Sequence, residues 1–321
     1  MRPPFRGHQK RIQWKARMTT CVAAVCAEGN AIILVADKMI GVGYIESELE
    51  ITKMRPLHKD WWMLFAGDDI GPVFDIVDLV KNKLKQDSQV SIGDVQEAVR
   101  NAFAEKRLAM ASTLYLTPIG WDIERFNNEG NQLLPNFEEI QTKIDNYELS
   151  IELLIAGFDN GKGCVFTLVG YGKGRGLTDR FDIPGFAAIG SGSTVAVYMM
   201  YYRDLSAKTS IREAVYYALE AKYSGEQAGG VGASTDLFIA TPGKELVQLN
   251  DEETIEEKLI PICYALSPNL MRKRDREVLN SLPELKGFPV IKEPDSKKTK
   301  PKPKKQTKPQ STIKNNKKAK T

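Results

Sequence analysis

The sequence of 321 residues has few side chains that bind metals through sulfur or imidazole. It contains four cysteines and two histidines, namely Cys21, Cys26, Cys164, Cys263, His8 and His58. The cysteines form no Cys-x-x-Cys pair, whereas a structural zinc site needs four Cys or His ligands, some of them closely spaced. We therefore expect no zinc site and no other metal site.

Long apolar runs are absent as well. No stretch approaches the ~18 consecutive apolar residues of a membrane-spanning helix, and residues 1–17 lack the apolar core of a secretory signal peptide. Cys21 and Cys26 are five residues apart, so on one strand their side chains point to opposite faces and cannot form a local disulfide. These absences predict reduced thiols, a cytoplasmic location and no contact with membranes.

Acidic residues are missing from both ends of the chain. Residues 1–18 contain six Lys or Arg and residues 296–321 contain eleven Lys, and neither segment contains Asp or Glu. Removing these seventeen positive charges from the formal net charge of +4 leaves −13 for residues 19–295. The body of the chain is therefore acidic and its two ends are basic.

The segment 295–321 consists mainly of Lys, Pro, Thr and Asn and has almost nothing to bury. Such a composition cannot offset the entropy lost on ordering, so we expect a disordered tail. A lysine run can bind nucleic acid or another polyanion through counterion release. It can equally be a solvated tail that improves solubility, and charge alone favours this second interpretation.

Between the ends, the apolar pattern changes from the period of a strand to that of a helix and back. Alternating and short apolar runs predict strands at 20–26, 31–36, 44–57, 61–66, 150–158, 164–170, 185–189 and 236–240. Helical spacing predicts helices at 73–84, 95–111, 194–204 and 210–223, whereas the polar stretch 122–147 receives no element. Blocks of strands that alternate with blocks of helices favour an α+β fold, a layered sandwich of antiparallel sheets with helices outside.

Two predicted hairpins gather reactive residues at strand ends. The turn between the first two strands pairs residues whose numbers sum to about 57, which sets Thr19 beside Asp37. The turn between the next two strands pairs residues whose numbers sum to about 118, which sets Lys53 opposite Phe65 and next to Gly67. A hydroxyl, a carboxylate, an amine and an unobstructed amide are thus expected together.

These are the parts of an N-terminal nucleophile site. A threonine hydroxyl is a poor nucleophile without a base, and a threonine at the start of a chain carries its own base, the α-amine. A buried lysine nearby would lower the pKa of that amine and stabilise a developing alkoxide, and a carboxylate would orient the lysine. The amide of a glycine at a strand end could hold an oxyanion.

Five short motifs carry a resemblance to a known family. In chain order they are Met18-Thr19-Thr20, Ala36-Asp37-Lys38, Lys53-Met54, Ala66-Gly67 and Gly190-Ser191-Gly192. In order and spacing they resemble the proteasome β-subunit family and its bacterial two-ring relatives, with gaps of 16 residues from Asp37 to Lys53 and 14 from Lys53 to Gly67. The resemblance covers about residues 19–242. It implies a four-layer αββα N-terminal nucleophile hydrolase, a threonine-type endopeptidase.

The resemblance also implies a role for each matched residue. Thr19 would be the nucleophile, and its amine, acting through a water molecule, the general base. Lys53 would adjust the pKa of the amine, Asp37 would orient Lys53, and the Gly67 amide would hold the oxyanion. Ser191 would form a hydrogen bond with the amine. Two further residues, Phe65 and Asp69, would shape the substrate pocket.

For these roles Thr19 must be the first residue of the mature protein. Bacterial members of the family begin Met-Thr-Thr and lose only the methionine, and here Met18 precedes Thr19. Our hypothesis is that translation starts at Met18 and that residues 1–17 are a mis-assigned extension. A basic propeptide or an organellar signal is the alternative.

One departure from the family pattern favours another function. The family has an Asp three residues before a Ser-Gly pair, and if that pair is Ser224-Gly225 the position holds Ala221. Glu220 or Asp236 would have to replace the missing carboxylate. The alternative hypothesis is therefore a catalytically silent, proteasome-like subunit with a structural or binding role.

Simpler interpretations stand beside these roles. Asp37 and Lys53 could form an ordinary ion pair at the rim of a sheet. Ser191, in a Gly-Ser-Gly-Ser stretch between a strand and a helix, could cap that helix or bind a phosphate at its N-terminus. The stretch lacks the lysine of a Walker loop, which disfavours phosphate binding.

The sequence thus divides into a basic leader at 1–18, a hydrolase domain at 19–250, a helical extension at 251–294 and a disordered tail at 295–321. We expect a homo-oligomeric ring that cleaves unfolded proteins or peptides, with an ATPase unfoldase as a candidate partner. We expect no cofactor, and neither nucleic acid nor membrane among the partners.

Overall fold

A computed structural model of the chain describes the backbone of most residues between 19 and 290. The described residues are 19–42, 45–48, 52–67, 70–85, 88–170, 174, 176–226, 234–249, 277 and 279–290, with backbone alone for 39–42 and 45–48. The predicted leader at 1–18 and the predicted tail at 295–321 lie outside them. So do residues 251–276 of the predicted extension.

Twelve strands and six α-helices have both ends within the described residues, and residues 279–281 are helical as well. The strands are β1 Cys21–Cys26, β2 Ala31–Asp37, β3 Met39–Val42, β4 Ile45–Glu48, β5 Met54–His58, β6 Trp61–Gly67, β7 Ile151–Asp159, β8 Lys162–Val169, β9 Leu177–Arg180, β10 Phe186–Ile189, β11 Thr235–Ala240 and β12 Val247–Leu249. The helices are α1 Gly71–Lys83, α2 Ile92–Tyr115, α3 Ile123–Leu133, α4 Phe137–Asp145, α5 Ser193–Tyr202 and α6 Ile211–Glu226. No helix of this set is both long and apolar enough to cross a membrane.

The strands form two antiparallel five-stranded sheets and a separate ribbon. The first sheet has the order β10-β1-β2-β11-β12, the second has the order β5-β6-β7-β8-β9, and β3 pairs with β4 in the ribbon. Every strand pair is antiparallel. The α+β prediction with antiparallel sheets is therefore confirmed.

The predicted hairpin registers are confirmed. In the first hairpin Cys21 lies opposite Ala36, a pair whose numbers sum to the expected 57. In the second hairpin Met54 lies opposite Leu64, which gives the expected 118, and the register shifts only near the turn, between Pro56 and His58. Because a slip of one residue would move every side chain to the other face, these registers fix what meets at the strand ends.

Strand alternation divides the apolar side chains into three cores. One core lies between the two sheets and contains side chains such as Ala23, Leu34, Leu64 and Leu154. A second lies between the first sheet and helices α5 and α6, and a third lies between the second sheet and helices α1 and α2. The continuous apolar runs of β1 and β2 follow from this arrangement, because both faces of the first sheet are covered.

Two helices begin with capping boxes. The Ser91 hydroxyl accepts from the Asp94 amide while the Asp94 carboxylate accepts from the Ser91 amide, at the start of α2. Ser210 and Glu213 form the second capping box, at the start of α6. Such caps satisfy amides that have no partner inside the helix.

The sequence prediction was wrong for the polar stretch at 122–147. No element was predicted there, but the stretch contains helices α3 and α4. Their apolar side chains are few, but Phe126, Ile140 and Ile144 are spaced to form one face, which packs on Ala111 and Leu116 at the end of α2. A narrow apolar stripe on a mostly polar helix is easily missed when composition is weighed before spacing.

The second hairpin differs from its prediction at one end. Instead of one strand over 44–57, the chain forms β4 and then, after residues 49–51, which lie outside the described residues, β5. Three short strands, β3, β9 and β12, were not predicted. His58 ends β5 and is only 4% exposed, because it packs opposite Trp61.

The described part of the C-terminal extension packs on α6. Leu279, Leu282 and Leu285 are buried in the core beneath that helix. Arg212 of α6 donates to the backbone oxygens of Leu279 and Leu285, the second at 2.7 Å. This described part of the extension therefore belongs to the hydrophobic core of the domain.

Candidate active site

Thr19 lies at the open end of the core between the sheets. It precedes β1 and has the strand parity of Cys21 and Ala23, whose side chains face that core. Its side chain is nearly buried, with 8% of the residue exposed. The first hairpin therefore presents the Thr19 hydroxyl at the rim, between the two sheets.

A buried ion pair holds this hydroxyl. Lys53 Nζ donates to Thr19 Oγ1 at 2.8 Å and to Asp37 Oδ2 at 2.8 Å. The second oxygen of the carboxylate, Asp37 Oδ1, accepts from the Thr20 amide at 3.0 Å. Lys53 is 2% exposed and Asp37 is fully buried, so the pair is shielded from solvent and its electrostatic field acts at short range on Thr19.

Gly67 of the second sheet lines the same cavity as Thr19. It ends β6 opposite Ile151 and has a φ of +144°, which favours glycine. A Cβ at this position would lie 2.2 Å from the Ser150 carbonyl oxygen. Only glycine therefore fits this backbone.

The Gly190-Ser191-Gly192 turn packs closely against Thr19 and Thr20. Gly190 has a φ of +86°, and a Cβ there would lie 2.1 Å from the Thr19 carbonyl oxygen. A Cβ at Gly192 would lie 2.0 Å from Thr20 Oγ1. Both glycines are therefore required by the close approach of the residues that they hold.

Three backbone amides at this turn already donate hydrogen bonds within the protein, which leaves few donors for a phosphate. Its Gly190 amide donates to Glu152 Oε2 at 2.8 Å, and its Gly192 amide donates to the Thr19 carbonyl at 3.3 Å. The Ser193 amide donates to the Gly190 carbonyl at 3.0 Å. Because a phosphate site at a helix N-terminus needs such amides free, the arrangement supports a role in holding Thr19 rather than a phosphate.

A cavity of about 330 Å³ opens beside Thr19. The residues that line it are Thr19, Ala66, Gly67, Glu148, Leu149, Ser150, Ile151, Glu152, Val169, Gly170, Gly190 and Ser191. Ser191 is exposed at its edge. The predicted nucleophile, the predicted oxyanion glycine and the predicted amine partner thus border one space large enough for part of a peptide.

Cys21, the other potential nucleophile nearby, is held as a neutral thiol. Complete burial raises its pKa far above the usual range, and the positive charge of Lys53 only partly opposes this effect. The thiol contacts the Phe65 carbonyl oxygen at 3.5 Å. Since the thiolate is the reactive form, Cys21 is a packing residue.

Ala221 stands where the family pattern has an aspartate, and neither Glu220 nor Asp236 brings a carboxylate to the cavity at Thr19 in its place. Ala221 is fully buried on α6. Glu220 forms an ion pair with Arg203, with Arg203 Nε 2.5 Å from Glu220 Oε2. Asp236 lies on β11 with its Oδ1 3.6 Å from Lys38 Nζ. Neither carboxylate lines the cavity at Thr19.

Of the two predicted pocket residues, Phe65 does not line this cavity. Phe65 is fully buried in the core between the second sheet and helices α1 and α2, with its ring 6.4 Å from that of Phe74. Asp69 lies outside the described residues. Their predicted role in a substrate pocket stays a prediction.

Sequence reasoning missed Glu152, which lines the cavity and contacts the Gly190 amide. Its signal was present in the sequence Ile151–Asp159, where alternation puts residue 152 on the same face as Leu154 and Ala156. An acidic residue at an inward position breaks the pattern of a strand. Such a break often marks a functional site.

Comparison with known proteins assigns no family to the chain. No protein-family model matches it, and no curated protein matches it either.

Proposed function

We propose that the protein is a threonine-type peptidase whose nucleophile is the hydroxyl of an N-terminal Thr19. The observation that carries this proposal is the chain of contacts from Thr19 Oγ1 to Lys53 Nζ to Asp37 Oδ2, each 2.8 Å long. At one end of this series of contacts Thr19 lines a cavity, and at the other end Lys53 and Asp37 are buried. An ordinary surface ion pair needs neither the hydroxyl nor the cavity.

In the proposed reaction the Thr19 oxygen attacks the carbonyl carbon of a peptide bond. Its proton passes to the α-amine and then to the departing amine of the substrate, which leaves an ester between Thr19 and the acyl part. Water, activated by the same amine, adds to the ester carbonyl and releases a carboxylic acid and the free hydroxyl. An N-terminal threonine supplies both the nucleophile and the base for these steps.

The neighbouring groups take supporting roles. The Lys53 ammonium stabilises negative charge on the Thr19 oxygen and favours the neutral form of the amine. Asp37 keeps Lys53 oriented. In this proposal the Gly67 amide would stabilise the oxyanion of the tetrahedral intermediate, and Ser191 would accept from the amine.

The architecture supports the same family. Two antiparallel sheets share one core and have helices on their outer faces, as in the four-layer αββα sandwich of N-terminal nucleophile hydrolases. With the ordered motifs at residues 19, 37, 53, 67 and 190–192, this architecture supports a proteasome-like hydrolase that needs no cofactor.

Assembly into a homo-oligomer is part of the proposal. Tyr198, Tyr201 and Tyr202 on α5 are exposed by 68%, 60% and 48%, and large exposed aromatic side chains are common at protein interfaces. In a ring, the Thr19 cavities would be reached by peptides or unfolded chains. An ATPase unfoldase would then be a partner, and the cytoplasm the place of action.

Two observations support a role without catalysis as the alternative function. Ala221 is buried, and the Glu220 carboxylate is paired with Arg203. Without a further carboxylate near the nucleophile, the chain could be a catalytically silent subunit that binds or scaffolds. This alternative predicts that Thr19 stays covalently linked to Met18 and that no peptide is cleaved.

Mass spectrometry and kinetics separate these functions. In material purified without proteolysis we expect the intact mass of a chain that begins at Thr19. Cleavage of peptidyl aminocoumarins should fall at least about 10³-fold in Thr19→Ala, whereas Thr167→Ala, which alters a buried threonine of β8, should retain kcat. Residues 1–18 still attached in active material, or activity that survives Thr19→Ala, would exclude the proposed nucleophile.

A further inference from the structure

Glu152 is an acidic residue on an inward face. It is the second residue of β7, lies opposite Ala66 and shares the strand parity of Leu154 and Ala156, which are fully buried between the sheets. A carboxylate in such a position loses hydration, which destabilises the charged form unless polar partners replace the water. Packing therefore gives no reason for a glutamate here.

The partner that replaces water comes from the other sheet. Glu152 Oε2 accepts from the Gly190 amide at 2.8 Å. Gly190 follows β10 in the first sheet, and its backbone contacts that of Thr19 so closely that a Cβ would be 3.2 Å from Thr19 Cβ. Glu152 thus ties the second sheet to the turn that holds the proposed nucleophile.

The charge of Glu152 is also close to the reacting groups. Glu152 and Thr19 line the same cavity, and the fully buried Cys21 thiol, two residues from Thr19, experiences the charges of Lys53, Asp37, Glu152 and Lys222. The cavity further contains Glu148. Of these groups, Lys53 and Lys222 disfavour an ammonium at Thr19, whereas Asp37, Glu148 and Glu152 favour it.

We propose that Glu152 is a positioning residue that holds the Gly190 turn against Thr19 and, through its negative charge, sets the pH at which the Thr19 amine becomes a free base. This inference rests on the proposed function. Two separable effects follow, because the hydrogen bond needs only an acceptor whereas the effect on the amine needs the charge. Glutamine keeps the first and removes the second, and alanine removes both.

The test measures kcat/KM against pH for cleavage of a peptidyl aminocoumarin by the full chain and its variants. A nearby negative charge stabilises the ammonium and raises its pKa, so its removal lowers that pKa. In Glu152→Gln we expect the acidic limb of the profile to move to lower pH by about half a unit to one unit. In Glu152→Ala we expect the same shift and a further loss of kcat of about tenfold, because the turn is no longer anchored.

Asp159→Asn is the matched control. It removes a carboxylate from the other end of β7, seven residues and about 23 Å away, and should leave the profile unchanged. Thermal unfolding of every variant reports the purely structural effect, which would lower Tm without moving the pH midpoint.

The outcomes are distinct. A shifted limb in Glu152→Gln with an unshifted limb in Asp159→Asn supports the inference. Turnover that depends on Thr19 together with an unshifted Glu152→Gln profile overturns the inference alone. If the unaltered protein shows no turnover that depends on Thr19, the proposed function fails and this inference fails with it.

Discussion

Two of the buried ion pairs within the described residues look alike in isolation and differ in their surroundings. Lys53 and Asp37, with side chains 3% and 0% exposed, join two hairpins at the rim of the core between the sheets. Arg203 and Glu220, with side chains 8% and 11% exposed, join the end of α5 to α6. Both pairs are desolvated, so burial by itself does not tell a functional pair from a structural one.

The neighbours make the difference. The Arg203 guanidinium lies against the rings of Tyr216 and Tyr217, at 5.5 and 5.8 Å from their centroids, so aromatic faces complete its surroundings. The Lys53 ammonium instead contacts the Thr19 hydroxyl, which borders a cavity. A buried charge pair becomes a candidate for catalysis when part of its field reaches a reactive group that a substrate can also reach.

Replacement of Lys53 should have the largest effect. In Lys53→Met we expect peptide cleavage to fall about 10³-fold, because the charge that supports the alkoxide is gone. Asp37 would remain buried without its cation, at a loss of about 3–5 kcal/mol in the free energy of unfolding. Kinetics and urea unfolding measure the two effects, and a variant that is less stable but fully active would make this pair as structural as the other one.

Replacement of Arg203 tests the other side of the comparison. Arg203→Met leaves Glu220 buried and uncompensated, so we expect a loss of about 3–5 kcal/mol in the free energy of unfolding. Below the unfolding transition, kcat/KM for each folded molecule should match that of the unaltered protein. A large fall in kcat at unchanged stability would place this second pair in the catalytic machinery and remove the contrast.

Gly190 tests whether the turn positions Thr19. Gly190→Ala puts a Cβ into the Thr19 carbonyl and should lower kcat about 10-fold to 100-fold, since small displacements of a reacting group slow a reaction strongly. Gly243→Ala is the control, because Gly243 has a similar φ of +64° but no atom within 4 Å of its Cβ direction. It should lose only about 1–2 kcal/mol of stability from the left-handed backbone, and equal activity losses in both variants would contradict the positioning role.

Cys21 should show the smallest effect. Its raised pKa keeps it a thiol, so brief treatment of the native protein with a maleimide at pH 7.5 should leave it unmodified, while the half-exposed Cys164 reacts first. Peptide mapping by mass spectrometry identifies the modified residues, with urea-unfolded protein as the positive control. Rapid modification of native Cys21 would show that the field of Lys53 activates a thiol as well as a hydroxyl.

Much of the site could be predicted because it depends on local hairpins. Once the first turn was located, the register of a period-two structure fixed Thr19 beside Asp37, and the second turn fixed Lys53 near Gly67. The helices at 122–147 were missed for the opposite reason. Their few apolar residues matter only because the end of α2 offers a surface for them.

The sequence by itself determined the strand alternation and the two hairpin registers, because these depend on neighbours joined by a single turn of the chain. Tertiary structure alone decided that Glu152 of the second sheet reaches the Gly190 amide of the first, and that Glu220 is committed to Arg203 rather than to Thr19. Those partners are 38 and 17 residues apart. Their pairing depends on how sheets and helices stack, which local periodicity does not encode.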